Sequence, residues 1–308
     1  MNRKRLNLML TWLRAGGFGV VVWAELGCAW HTQRLFFATM RKSVSPLHPT
    51  ASAHSGSAGP KPSDRFEALD ALRGLAMLWM TVFHFCFDLN NQGIIQQNFV
   101  QDPLWTWQRS AIVSLFLVCA GAGQALAMAQ AQTAARFWRR WGQIAAGALV
   151  VSAGSWWMFP QSYIYFGVLH GIAVMLLLLR FVLRPWLGSS MHLIAMVLAL
   201  FTLFLIAPSL ISMSATADFF NSRWVNALGA ITQKPLTEDY VPLLPWFAVM
   251  LLGYAACHRL LLRRHVLLSA PVPRAFTSLV WLGRWSLSYY LVHQPVLLGL
   301  IWLFGKAR

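Results

Sequence analysis

From Asp70 onward the chain returns repeatedly to apolar stretches long enough to cross a lipid bilayer, and no other feature restricts its fold so severely. Crossing the hydrocarbon core takes about 20 residues of helix at about 1.5 Å of rise each, because in lipid every backbone N–H and C=O must be bonded within the segment. Seven stretches qualify, at approximately 70–89, 107–129, 141–158, 163–180, 190–213, 241–260 and 284–304. The fourth is short, and the seventh follows an amphipathic stretch. Composition agrees. Of 308 residues 57% are hydrophobic and 11% charged, whereas a soluble domain needs about 25% charged residues to keep its surface wetted. A soluble enzyme, a disordered chain and a free-standing nucleic-acid binder are poor readings on these grounds. The expected fold is all-α, a polytopic integral membrane helical bundle with roughly seven transmembrane helices.

The chain carries 25 Lys and Arg against 9 Asp and Glu, and it is their placement that gives the excess its meaning. Arg136, Arg139 and Arg140 fall between the second and third stretches, Arg180 and Arg184 between the fourth and fifth, and Arg259, Arg263, Arg264 and Arg274 between the sixth and seventh. Residues 90–106 and 159–162 hold no Lys or Arg, and 214–240 sets Arg223 and Lys234 beside Asp218, Glu238 and Asp239. Short cytoplasmic loops are enriched in Lys and Arg. The segment before Asp70 is therefore expected in the cytoplasm and the C-terminus on the opposite side, with no nucleic-acid partner.

Residues 1–64 fit this plan poorly. Their apolar run, 8–30, contains Arg14 and Glu25, and an N-in span there would put Arg34, Arg41, Lys42, Lys61 and Arg65 outside. They read as an interfacial or dispensable extension, with Met40 an alternative start, ending in a flexible Ser/Pro/Ala/Gly-rich linker over 43–64. The transmembrane domain is expected at 65–308. Cys28, Cys86, Cys119 and Cys257 show neither a CxxC nor a metal-type spacing, and Cys257, His258 and His265 lack a fourth ligand, so no metal is expected.

An ionisable residue inside a span is costly, so each one is a functional candidate with a structural ion pair as its plain alternative. The first span is the richest. At about 100° per residue, Asp70, Arg73, Thr81, His84 and Asp88 fall within an arc of roughly 80°, a polar stripe that must face the bundle. Asp70 and Asp88 lie about 27 Å apart along the axis, with Asp70 and Arg73 near the cytoplasmic face. His84 and Asp88, at i and i+4, have the spacing of an imidazole base and the carboxylate that orients it. Two further histidines stand in other spans, His170 in the fourth and His293 in the seventh, where Ser286, Tyr290 and His293 share a face at i, i+4 and i+7. Singly, such histidines more often bond helix to helix. Trp246, behind Pro242 and Pro245, reads equally as an interfacial anchor or a residue of the site.

The run Arg65-Phe-Glu-Ala-Leu-Asp70-Ala-Leu-Arg73-Gly74-Leu-Ala, followed by Phe83-His84-Phe-Cys-Phe-Asp88-Leu, resembles the opening of bacterial members of the heparan-alpha-glucosaminide N-acetyltransferase catalytic-domain family, within the transmembrane acyltransferase superfamily. Phe166-Gly-Val-Leu-His170-Gly-Ile, Pro242-Leu-Leu-Pro245-Trp246-Phe with Leu252-Gly253-Tyr254, and Leu282-Gly283-Arg284-Trp-Ser286-Leu-Ser-Tyr-Tyr290-Leu-Val-His293-Gln294-Pro295 continue the likeness in order, over about residues 65–304. The resemblance implies a bacterial inner-membrane acyltransferase, N-terminus cytoplasmic and C-terminus periplasmic. Such an enzyme takes an acetyl group from cytoplasmic acetyl-CoA and delivers it to an extracytoplasmic glycan or lipid-linked acceptor.

The family's histidine chemistry falls on His84, with Asp88 as its orienting carboxylate, and its arginine on Arg73, which with Asp70 is expected at the CoA. His170, Trp246, Ser286, Tyr290, His293 and Gln294 are expected toward substrate or oxyanion. Eukaryotic relatives place a histidine after the first span, whereas this chain has none between His84 and His170. A covalent acetyl-histidine and direct transfer with His84 as base both stand. So do a monomer and a homo-oligomer. Two other classes compete: a small transporter using His and Asp as a proton relay, against which the chain shows no internal repeat of its spans, and a non-catalytic scaffold.

Overall fold

The computed structural model describes residues 66–213, 216–263 and 272–305. The extension expected at 1–64, Arg264, His265 and the C-terminal end lie outside these residues. Among the described residues the chain is helical without strands. The helices are α1 (Glu67–Asn91), α2 (Pro103–Ala129), α3 (Ala134–Met158), α4 (Val168–Leu177), α5 (Ser190–Ser212), the short α6 (Ala217–Asn221), α7 (Leu243–Arg263), α8 (Thr277–Arg284) and α9 (Ser286–Gly305).

Helix starts obey local chemistry. Asp102 accepts the Leu104 N–H at 2.9 Å with Pro103 in the first turn, and the Thr133 and Ser189 hydroxyls cap α3 and α5. Glu67 and Asp70 place negative charge in the first turn of α1, where the helix dipole favours it. Among the described residues five helices, α1, α2, α5, α7 and α9, are long and apolar enough to span a bilayer. Of the seven expected spans, the third forms a helix whose first turns carry arginines. The fourth begins at Val168 rather than 163, because residues 163–167 run beside 237–241 instead: Phe166 and Tyr240 make a parallel bridge, and Val241 N–H donates to the Phe166 carbonyl at 3.1 Å. From Val168 an apolar helix continues to Val182, its last turn widened.

Burial on α1 is inverted relative to a soluble helix. Asp70 and Asp88 are 2% and 3% exposed, while Leu78 and Val82 on the other face are 48% and 54% exposed. Only a hydrocarbon surround favours that arrangement; the protein is an integral membrane helical bundle. The core gathers Met77, Met80 and Phe83 of α1, Phe116 and Leu117 of α2, Met175 of α4, and Met250, Leu251 and Tyr254 of α7.

Two crossings are so close that only glycine fits. A Cβ on Gly74 would strike the Leu279 backbone and one on Gly283 the Asp70 carbonyl, so α1 and α8 touch backbone to backbone. Gly121 against Met250 and Gly253 against Val118 do the same for α2 and α7. Small residues give lipid-embedded helices this approach.

Candidate active site

The polar stripe of α1 divides into two places. Near its start Asp70 accepts from Arg73 Nη1 at 2.9 Å, and Arg284, at the end of α8, stands with Nε 4.0 Å from Asp70 and Nη2 3.3 Å from Glu67. The Gly74–Gly283 crossing brings the two arginines together. Arg73 and Arg284, with Arg140 from the second turn of α3, line one end of a cavity of about 300 Å³. The cavity runs between α1, α2, α3, α4 and α9 to Phe116, Val168 and Tyr290, whose side chains are apolar or uncharged. Phe116 and Tyr290 meet edge to face there, ring centroids 6.3 Å apart. Gln124 lines the wall between, 5% exposed, with its Nε2 lacking a partner among the described residues. One end of this space thus offers guanidinium donors for an anion, and the other is neutral.

Beyond the ring of Tyr290 lies the second place. His293 is 5.7 Å from that ring, and His84 is 5.2 Å from His293, centroid to centroid. Tyr289 stacks on His293 at 6.2 Å, and its hydroxyl meets Thr81 Oγ1 at 2.8 Å. Asp88 is not joined to His84 as the i, i+4 spacing suggested. Both its oxygens accept from Gln294 Nε2, each at 2.9 Å, because the carboxylate points across to α9 rather than along α1. His293 Nδ1 lies 2.7 Å from the Tyr290 carbonyl oxygen, which can only accept, so Nδ1 carries the proton. The neutral ring then has no hydrogen on Nε2, and the oxyanion-donor role expected of His293 does not suit it.

His170 and Trp246 stand apart from both places. Gly167 N–H donates to His170 Nδ1 at 3.3 Å, which fixes the proton on Nε2. That nitrogen donates to Ser152 Oγ at 3.0 Å, and the serine hydroxyl donates to the Ile164 carbonyl at 2.6 Å. Both ring nitrogens are used in tying α3 to the start of α4, leaving none for a substrate. Trp246 is half-buried against the apolar core. Ser286 and Tyr290 line the cavity, while Gln294 holds Asp88.

Four residues at or beside the site escape sequence reasoning. Arg140 reads as a loop charge, but the Thr133 cap starts α3 early enough to carry it inward. Arg284 stands out only as part of a motif, and Gln124 gives no signal among its apolar neighbours. Asp239 reads as a loop acid. It accepts the Val168 N–H at 2.8 Å at the start of α4, beside the neutral end of the cavity. Burial raises its pKa above the ordinary carboxylate range, opposed by that N–H and by the charges of Arg109 and Lys234. A tight carboxylate cap of this kind needs no Cβ on Gly167, where one would collide with Asp239.

The family model described as heparan-alpha-glucosaminide N-acetyltransferase, catalytic, matches residues 65–295. No curated protein and no solved structure matches the chain. The matched stretch contains every residue of the two polar places, from Glu67 to Gln294.

Proposed function

The chain belongs to the heparan-alpha-glucosaminide N-acetyltransferase catalytic family, and we propose that this membrane acetyltransferase moves an acetyl group from cytoplasmic acetyl-CoA to a sugar amine or hydroxyl on the other side of a bacterial inner membrane. The observation that carries the reading is the polarised cavity: Arg73, Arg140 and Arg284 at one end, Tyr290 at the other, and the two histidines just past it. Acetyl-CoA fits that donor set. Its phosphates suit guanidinium groups, which bind them with charge-assisted hydrogen bonds, and its amide-bearing arm suits the unpaired Gln124 Nε2. The basic loops support an orientation with the arginine end toward the cytoplasm.

Bound this way, acetyl-CoA supplies a thioester carbonyl for attack. The arginines hold the phosphates, and Asp70 keeps Arg73 turned toward them. His84 takes the proton from the acceptor N–H or O–H as the new C–N or C–O bond forms. The Tyr290 hydroxyl donates to the carbonyl oxygen as it gains charge. When the C–S bond breaks, the proton on His84 passes to the departing thiolate, so the enzyme ends as it began. The acceptor class is a glycan or lipid-linked sugar.

The test is transfer of labelled acetyl from acetyl-CoA to glucosamine by protein in liposomes. His84→Asn is expected to lower the rate by about 10²–10⁴-fold, the usual contribution of a general base, and Arg73→Ala to weaken donor binding. Full transfer by both variants, inserted normally, sinks the reading.

A further inference from the structure

The structure removes the partner that spacing had assigned to His84. Asp88 is committed to Gln294, through both carboxylate oxygens. A histidine acting as base needs one nitrogen held as N–H by an acceptor so that the other faces the substrate unprotonated. What stands next to His84 is His293. Its Nδ1 proton is spent on the Tyr290 carbonyl at 2.7 Å. Its Nε2 is buried, in a residue 8% exposed, and receives no hydrogen bond among the described residues. A buried acceptor left without a donor is unfavourable, because it has lost its hydrogen bond to water and gained none in return, so a lone pair kept there calls for a donor during function.

The His84 ring is the adjacent polar group, 5.2 Å from His293 centroid to centroid and tilted by 58°. No hydrogen bond to a described residue holds it in place. Imidazoles at this spacing bring a nitrogen of each together when one ring turns edge-on. We infer that His293 is the positioning partner of His84: its Nε2 accepts the N–H of one His84 nitrogen, which turns the other nitrogen, with its lone pair, to the acceptor. The inference rests on the reading of His84 as base.

In the transfer step the acceptor proton moves to that free nitrogen, and the resulting imidazolium keeps its other N–H on His293 until the proton leaves with the thiolate. Asp88 acts at one further remove. By gripping Gln294 it fixes the turn of α9 that carries His293, a turn followed by Pro295, which has no N–H with which to hold itself.

Side-chain geometry separates this from a purely structural histidine. Asparagine at 293 can still donate to the Tyr290 carbonyl from the position of Nδ1 but offers nothing at the position of Nε2. Glutamine reaches the position of Nε2 with an acceptor oxygen. With acetyl-CoA as donor and glucosamine as acceptor probe, His293→Asn is expected to lose about 10²-fold in kcat, its KM for acetyl-CoA staying within about twofold. His293→Gln is expected to keep a rate within about tenfold of wild type.

Thermal unfolding of each variant in detergent reports folding. Because a dyad works as a unit, the double variant His84→Asn/His293→Asn should be no slower than His84→Asn alone. An active Asn variant beside an inactive Gln variant overturns the inference, as do losses that multiply in the double variant. Those results leave the acetyltransferase reading intact as long as His84→Asn alone is slow. A wild type that transfers nothing to glucosamine, or a His84→Asn variant at full rate, removes both.

Discussion

Replacing Gly283 by alanine adds one methyl group at the α1–α8 crossing, where the packing leaves no room for it. The new Cβ would overlap the carbonyl oxygen of Asp70, lie 2.6 Å from its carbonyl carbon and stand 3.0 Å from the Gly74 nitrogen. All three are backbone atoms, so no side chain can swing aside and the helices themselves must separate by more than an ångström. Overpacking of this kind costs about 1–3 kcal/mol, which for a unit of this size lowers Tm by about 2–4 °C per kcal/mol.

The same displacement carries Arg284 away from Asp70 and from Arg73, the arginine with which it lines one end of the cavity. Losing one charge-assisted contact to a phosphate is worth about 1.5–3 kcal/mol, a rise in donor Kd of roughly 10–100-fold. Thermal unfolding and acetyl-CoA binding in detergent measure both. Gly299→Ala in α9 is the control, since a Cβ there meets nothing within 4 Å. It should leave binding unchanged and, by helix propensity, raise stability by up to about 1 kcal/mol. A Gly283→Ala protein with wild-type Tm and wild-type donor affinity refutes the argument that backbone contact positions the arginines.

Three further outcomes are expected. Arg140→Ala should raise the KM for acetyl-CoA by about 10-fold or more, leaving kcat nearly intact; steady-state kinetics at varied donor concentration decide it. Ser152→Ala should strand the Nε2–H of His170 and the Ile164 carbonyl, lowering stability by about 1–3 kcal/mol without altering turnover per folded molecule, as unfolding and activity measured on one sample will show. For Asp239, whose pKa in the fold lies above its ordinary range, the folded state binds its proton more tightly than the unfolded one. Its contribution to stability therefore declines as pH rises from the unfolded value through the folded one. Asp239→Asn should remove that decline, and thermal unfolding compared between pH 4 and pH 7 checks the sign.

Much of this architecture was legible in the sequence because membrane helices are written locally. The apolar runs are continuous, and the Asp102-Pro103, Thr133 and Ser189 starts rest on side chains bonded two or three residues away. The stripe of Asp70, Arg73, Thr81, His84 and Asp88 needed only the period of one helix. Pairing within that stripe was not legible. The partner of Asp88 is 206 residues distant, and the ring beside His84 belongs to the same turn of α9. Spacing alone made i, i+4 look like the answer, but the rotamer that sends a carboxylate along its own helix or across to another is decided by the donors opposite. His170 shows the same limit: its commitment to Ser152 depends on how far α3 extends before the chain turns.

The uneven lining of the cavity has a consequence for direction and length. A slender molecule whose charge sits at one tip can lodge there only one way round, since reversing it would strip the guanidinium groups of their counter-ions and press charge against Phe116 and Tyr290. The space is then a ruler as well as a socket. With the charged tip anchored, the distance to Tyr290 fixes how far the other tip extends, and each added methylene would have to displace aromatic side chains that already touch. If the donor proposed above binds this way, an acetyl group would fit the length, whereas a longer acyl chain would have to push Phe116 and Tyr290 apart.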